Sequence, residues 1–220
     1  MAEAMNGHVE AATATELTEV TTWSLEQTTP QALRPSGGRV PDGLRVARAA
    51  VPSPEFSRFL YTAVGGDVRW VDRLGWDHAR WRAYLDRPAV ETWVAYLRDT
   101  PAGYIELDGQ AEGVVEIAYF GLLPAFRGRG VGGHLLTVGT ARAWDLSARW
   151  PGREATRRVW LHTCTKDGPH ALENYRRRGF TVVGTRTGTE PTVVRAPGPW
   201  PGAHPLDPSD HVGPAGAHDR

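Results

Sequence analysis

Residues Arg127-Gly128-Arg129-Gly130-Val131-Gly132-Gly133 stand between an apolar run and an amphipathic one, and their types suit the holding of an anion. Glycine lets the backbone turn tightly and approach a ligand closely, while the first N–H groups of a following helix have no acceptor within it. Such a turn is a pyrophosphate cradle, and Arg127 and Arg129 would add positive charge at its rim. Three ligands could use it. A nucleoside triphosphate loop ends in Gly-Lys-Ser/Thr, and this turn has no lysine. A dinucleotide loop is a closer rival, since Gly128, Gly130 and Gly133 spell GxGxxG. In that loop, however, the glycines follow the strand directly, whereas residues 123–127 intervene here. The next strand also ends His162-Thr163-Cys164, where an acidic residue should hold a ribose.

The third ligand is coenzyme A. Residues 115–136, VEIAYFGLLPAFRGRGVGGHLL, resemble the acetyl-CoA-binding motif of the GNAT N-acetyltransferases, whose pattern Arg/Gln-x-x-Gly-x-Gly/Ala is met by Arg127, Gly130 and Gly132. A second stretch, Asp167-Gly168-Pro169-His170-Ala171-Leu172-Glu173-Asn174-Tyr175 before Arg178-Gly179-Phe180, is similar to that family's Ala-x-x-x-Tyr…Gly-Phe signature. The two lie in the family's order, and the resemblance covers about residues 44–187. It implies a single α/β domain with a mixed, strongly twisted central sheet flanked by helices, and acetyl-CoA as co-substrate with no metal. The implied reaction moves an acyl group to an amine by direct transfer in a ternary complex. Arg127, Gly128, Arg129, Gly130, Val131, Gly132 and Gly133 would then hold the diphosphate. By the same resemblance Leu122 and Leu123 offer backbone groups to the pantetheine arm, an N–H there polarising the thioester carbonyl.

Acylating an amine also needs proton transfer, because an alkyl ammonium with a pKa near ~10 is mostly protonated at neutral pH. Glu116 lies in an otherwise apolar run and matches the strand glutamate that serves as base in several family members; its other reading is a carboxylate on the solvent face of an alternating strand. Glu106, one strand earlier, is the reserve base. Tyr175 matches the family tyrosine whose hydroxyl lies near the sulfur as general acid, the alternative being a core aromatic packed on Phe180. His162 could assist proton transfer, although a lone strand histidine is more often structural. Cys164, the only cysteine, sits about 6.6 Å along the strand from His162, too far for a thiol–imidazole contact. A buried, inert cysteine is the expectation.

The elements that must position these groups follow from periodicity. Strands are predicted over 21–27, 44–51, 91–97, 102–107, 114–123, 158–163 and 180–187, with one more at 193–195 as an option. Turns are placed at Thr100-Pro101 and Asp108-Gly109. Helices are predicted over 53–62, over 67–85 as one helix or a pair recapped by Asp77, and over 130–148 and 169–178. Residues 18–195 form the domain, flanked by polar tails at 1–17 and 196–220. His204, His211 and His218 recur every seven residues in the second tail, without helix-forming neighbours to bring them together.

The 220 residues suit one core, and a formal net charge of +0 argues against a nucleic-acid partner. No apolar stretch suits a signal peptide or membrane span, so the expectation is a cytoplasmic chain with no membrane partner; a homodimer is left open. Residues 53–93, where the family often shapes its acceptor pocket, hold Trp70, Trp76, Trp81 and Trp93 among balanced charges. A small-molecule amine is therefore preferred to a polycation. Rival classes are a non-catalytic acyl-CoA-binding regulator and a protein lysine or N-terminal acetyltransferase.

Overall fold

The computed structural model describes residues 15–193, so the segment 196–220 and its three histidines lie outside the described residues. Seven strands form one sheet in the order β2-β3-β4-β5-β6-β1-β7. They are β1 (Thr15–Gln27), β2 (Leu44–Arg48), β3 (Val90–Leu97), β4 (Thr100–Gly109), β5 (Val114–Leu122), β6 (Arg158–Cys164) and β7 (Thr181–Val193). Every pairing is antiparallel except β5 with β6. The expected mixed α/β sheet is present.

Alternation across the strands divides the core in two. On β4, Ile105 and Leu107 face α3 (Val131–Trp144) and pack with Leu135 and Leu136, while Tyr104 faces α1 (Pro54–Gly65) with Leu60 and Val64. Helix α1 starts where expected: Ser53 accepts from Phe56 N and Pro54 opens the first turn. Helix α2 (His78–Leu85) is capped by Asp77, whose carboxylate accepts from Arg80 N at 2.8 Å. Short helices α4 (Leu146–Arg149) and α5 (Ala171–Arg177) complete the set.

Four expectations change, the first being the turn placed at Asp108-Gly109: both residues pair within β4, and the chain turns at residues 110–113. Residues 67–76 form turns instead of a helix. The Gly65 carbonyl accepts from both Val68 N and Trp70 N, folding the Trp70 ring over Gly65, where a Cβ would come within 2.4 Å of it. The β3–β4 turn lies at Arg98 and Asp99, both with positive φ, and Pro101 falls within β4 beside a register shift, where a missing ladder donor is tolerated. Finally, β1 begins at Thr15 rather than 21 and β7 runs unbroken to Val193, the two pairing from Thr15↔Val193 to Glu26↔Thr181. Neither threonine-rich strand carries an apolar period over its outer half; the main-chain ladder holds the ribbon together.

Because β1 sits between β6 and β7, residues 28–43 must cross to β2 at the far edge of the sheet. The crossing passes beside the N-terminus of α3: Ser36 N donates to Thr137 Oγ1 at 3.0 Å. No helix among the described residues is long and apolar enough to cross a membrane.

Candidate active site

Strands β5 and β6 pair only from Val114↔Arg158 to Glu116↔Trp160. Beyond Glu116 they part, and a gap opens along the rest of β5. A proline such as Pro124 cannot donate to a ladder, and a bulge just before it would be one cause of such a splay. The irregularity instead falls at Ala118, where the β4–β5 register shifts between Glu106↔Tyr119 and Leu107↔Ile117. Leu123 donates its N–H to Ala102 O at 2.9 Å and its carbonyl accepts from Phe126 N, so its backbone is engaged at both ends. Strand alternation then turns the N–H and C=O of Leu122 toward the gap. The Leu122 carbonyl accepts from Arg127 at 3.1 Å, leaving its N–H as the group facing the opening.

The glycine turn closes one end of the gap. Gly128 and Gly130 have φ of 73° and 79°, a region costly for other residues, and Gly130 is the N-cap of α3 with no side-chain cap. The N–H groups of Val131, Gly132 and Gly133 in the first turn therefore lack an acceptor within the helix, while the Val131 side chain is fully buried and anchors the turn. A Cβ on Gly132 would stand 3.3 Å from Leu122 Cδ1. These features fit a diphosphate lying against bare backbone. Arg127 does not lend its charge to the rim as expected: its guanidinium is bidentate to Asp67 and also donates to Leu122 O. It braces the turn, and Arg129 is the exposed cation left in the loop.

Glu116 and Tyr175 approach the gap from opposite faces. Glu116 shares its face with Trp160 and His162, away from α3. Gln110 Nε2 donates to Glu116 Oε2 at 2.8 Å, and Trp160 Nε1 donates to Gln110 Oε1 at 3.3 Å. His162 Nδ1 stands 3.9 Å from Glu116 Oε1, near enough to feel its charge and too far for a hydrogen bond. Burial pushes the Glu116 carboxyl above the usual carboxylate range, against the opposing pull of His162. Gln110 escaped the sequence reading because a loop glutamine carries no periodic or motif signal.

Tyr175 is 7% exposed and packs edge-on against Phe120 and Phe180, with ring centroids at 6.0 and 6.2 Å. Burial, with Asp167 adding to it, raises its phenol above the ordinary tyrosine value. The ring is thus a core aromatic, as the alternative had it.

Glu106 does not serve as a spare base. It is buried, accepts from Arg73 Nη1 at 2.9 and 3.2 Å, and accepts from the Tyr84 hydroxyl at 2.6 Å. Arg73 in turn lies over the rings of Trp76, Trp81 and Tyr84, which precede β3, and of Tyr119 on β5, so these aromatics enclose this chain's own cation. Cys164 is half-buried, and burial, then Asp167, push its thiol up. A raised thiol holds little thiolate at neutral pH. Cys164→Ser is accordingly expected to keep full activity, and iodoacetamide to label Cys164 no faster than a free thiol; rapid labelling with loss of activity would restore a nucleophilic role.

Residues 58–180, more than half the chain, match the sequence pattern described as the acetyltransferase (GNAT) family. The chain belongs to the GNAT family. Its fold is similar to that of a GCN5-related N-acetyltransferase from Kribbella flavida, at 20% identity and TM-score 0.55, over 81% of this chain and 60% of that one. A GCN5-related N-acetyltransferase from Sphaerobacter thermophilus is similar at 19% identity and TM-score 0.55, over 79% of this chain and 51% of that one. This GNAT chain therefore spans between half and three-fifths of those longer proteins, and at such identities the likeness is one of fold. No curated protein sequence matches it. Among the described residues of this GNAT domain no group of three or more His, Cys, Asp or Glu could hold a metal ion.

Proposed function

We propose that the chain is an N-acetyltransferase that moves an acetyl group from acetyl-CoA to the amine of a small molecule by direct transfer in a ternary complex. The observation that carries this reading is the gap between β5 and β6, with an uncapped glycine turn at one end and a half-buried carboxylate at the other. Val131, Gly132 and Gly133 would hold the diphosphate through their N–H groups, and Leu122 N–H would meet the arm in the gap. Bound there, acetyl-CoA supplies an acyl group activated as a thioester.

The protein's own part is to manage protons and exclude water. Glu116 accepts the proton that keeps the acceptor amine from attacking, and the Gln110–Trp160 chain fixes which carboxylate oxygen faces the gap. His162, with 55% of its side chain exposed, can pass that proton to solvent. Tyr175, packed between Phe120 and Phe180 on the opposite side of the sheet from Glu116, is the proposed donor of a proton to the departing thiol. The sequential route is favoured over a covalent one because the thiol of Cys164 is raised rather than activated.

Thermal unfolding with acetyl-CoA at about 100 times its Kd is expected to show a stabilisation of ~2.7 kcal/mol, or roughly 5–10 °C for a domain of this size. A panel of small amines should then release free thiol from acetyl-CoA. Protection without thiol release across the panel would favour a regulator, and the absence of protection would remove the assignment altogether.

A further inference from the structure

With Arg127 turned away to Asp67, another arginine lies against the first turn of α3. Arg178, at the C-cap of α5, places Nη2 3.2 Å from the point where a Cβ on Gly133 would stand. Among the described residues it forms no ion pair, unlike its neighbour Arg177, which is paired with Glu173. Its Nε is buried without a hydrogen-bond partner. Its Nη1 reaches only the carbonyls of Pro35 and Arg177, each at 3.5 Å. A guanidinium carries five N–H donors, so most of this one's capacity is unspent beside a turn built for an anion.

The position of Arg178 is nonetheless fixed. Its carbonyl accepts from Gln27 Nε2 at 2.8 Å and from Arg34 N at 3.1 Å, tying it to the end of β1 and to the crossing segment 28–43. That segment then runs along the glycine turn. Ser36 Oγ lies 2.8 Å from the Cβ position of Gly133, and Arg39 O lies 3.7 Å from that of Gly130. A side chain at 133 would have to displace Ser36 Oγ and Arg178 Nη2, so glycine there leaves both in place beside the turn.

We propose that Arg178, held in place by the crossing segment, is a phosphate-binding residue of the nucleotide site. Its guanidinium and the first-turn N–H groups of α3 grip the phosphates of a coenzyme A-type ligand from two sides. The inference rests on the reading that acetyl-CoA occupies the glycine turn, and it replaces Arg127 by Arg178 as the arginine that meets the anion. An Arg–phosphate contact is a charge-assisted, forked interaction, among the stronger single contacts a site can make.

Calorimetric titration of acetyl-CoA into the full chain and its variants tests this. Arg178→Gln is expected to raise the Kd about 10- to 100-fold. Arg178→Lys should fall between, because it keeps the charge and loses the fork. Arg177→Gln, which removes an exposed helical ion pair, should change the Kd by no more than about twofold. Unfolding midpoints without ligand are measured alongside; should Arg178→Gln fail to fold, Arg178→Lys carries the test. Wild-type affinity in either folded Arg178 variant would overturn the proposal while leaving the glycine-turn site standing. Absence of acetyl-CoA binding by the wild type would remove both.

Discussion

Glu116→Gln is expected to lower kcat by about 10²- to 10⁴-fold, the range for losing a positioned general base, with the Kd for acetyl-CoA unchanged. The substitution is nearly isosteric, and Gln110 Nε2 can still donate to the remaining side-chain oxygen, so the chain to Trp160 survives. The pH dependence has a definite sign. Glu116 acts only when ionised, and burial makes it hold its proton to a higher pH than an exposed carboxyl would. Activity should therefore rise as pH increases through that raised value, and the variant should lack this limb. Stability moves the other way. A carboxyl whose folded pKa is raised contributes stability below its unfolded value and loses it as pH rises through the folded value, so Glu116→Gln should be no less stable than wild type at neutral pH. A variant that is both inactive and markedly less stable would mean that Glu116 is structural. Tyr175→Phe separates the second role: unchanged kcat would leave Tyr175 as packing between Phe120 and Phe180 alone.

The parts of the site that could be read from sequence are those where backbone geometry restricts residue type. Positive φ at Gly128 and Gly130 admits glycine almost alone, so the turn stands out in the string itself. The apolar strands beside it were legible for a similar reason, since burial on alternating faces writes a period into the chain. What escaped depends on partners remote in sequence. Arg127 meets Asp67 across 60 residues, and Arg178 meets the crossing segment across 143. No local pattern announces either. The β1–β7 ribbon is of this kind, its outer half held by main-chain bonds between threonine-rich strands with few buried side chains. The turns at residues 67–76 are a different case: apolar residues at helical spacing suggest a helix, but Trp70 folds back onto Gly65 and Trp76 packs against the Arg73 guanidinium.

That cation gives the largest expected effect on stability. Arg73→Met should destabilise the domain by about 3–5 kcal/mol, because it leaves the Glu106 carboxylate buried without its countercharge. For a domain of this size that is a fall in Tm of roughly 6–20 °C. The loss arises from the stranded partner more than from the missing bond, so Arg73→Met with Glu106→Gln should recover much of it, a non-additivity that a double-mutant cycle measures directly. Equal losses in single and double variants would instead place the value of Arg73 in its stacking on Tyr84, Tyr119, Trp76 and Trp81. Either result bears on chemistry as well as folding. Glu106, on β4 opposite Tyr119, is set apart from Glu116, the carboxylate proposed as base, by its burial and by its bonds to both Arg73 and Tyr84.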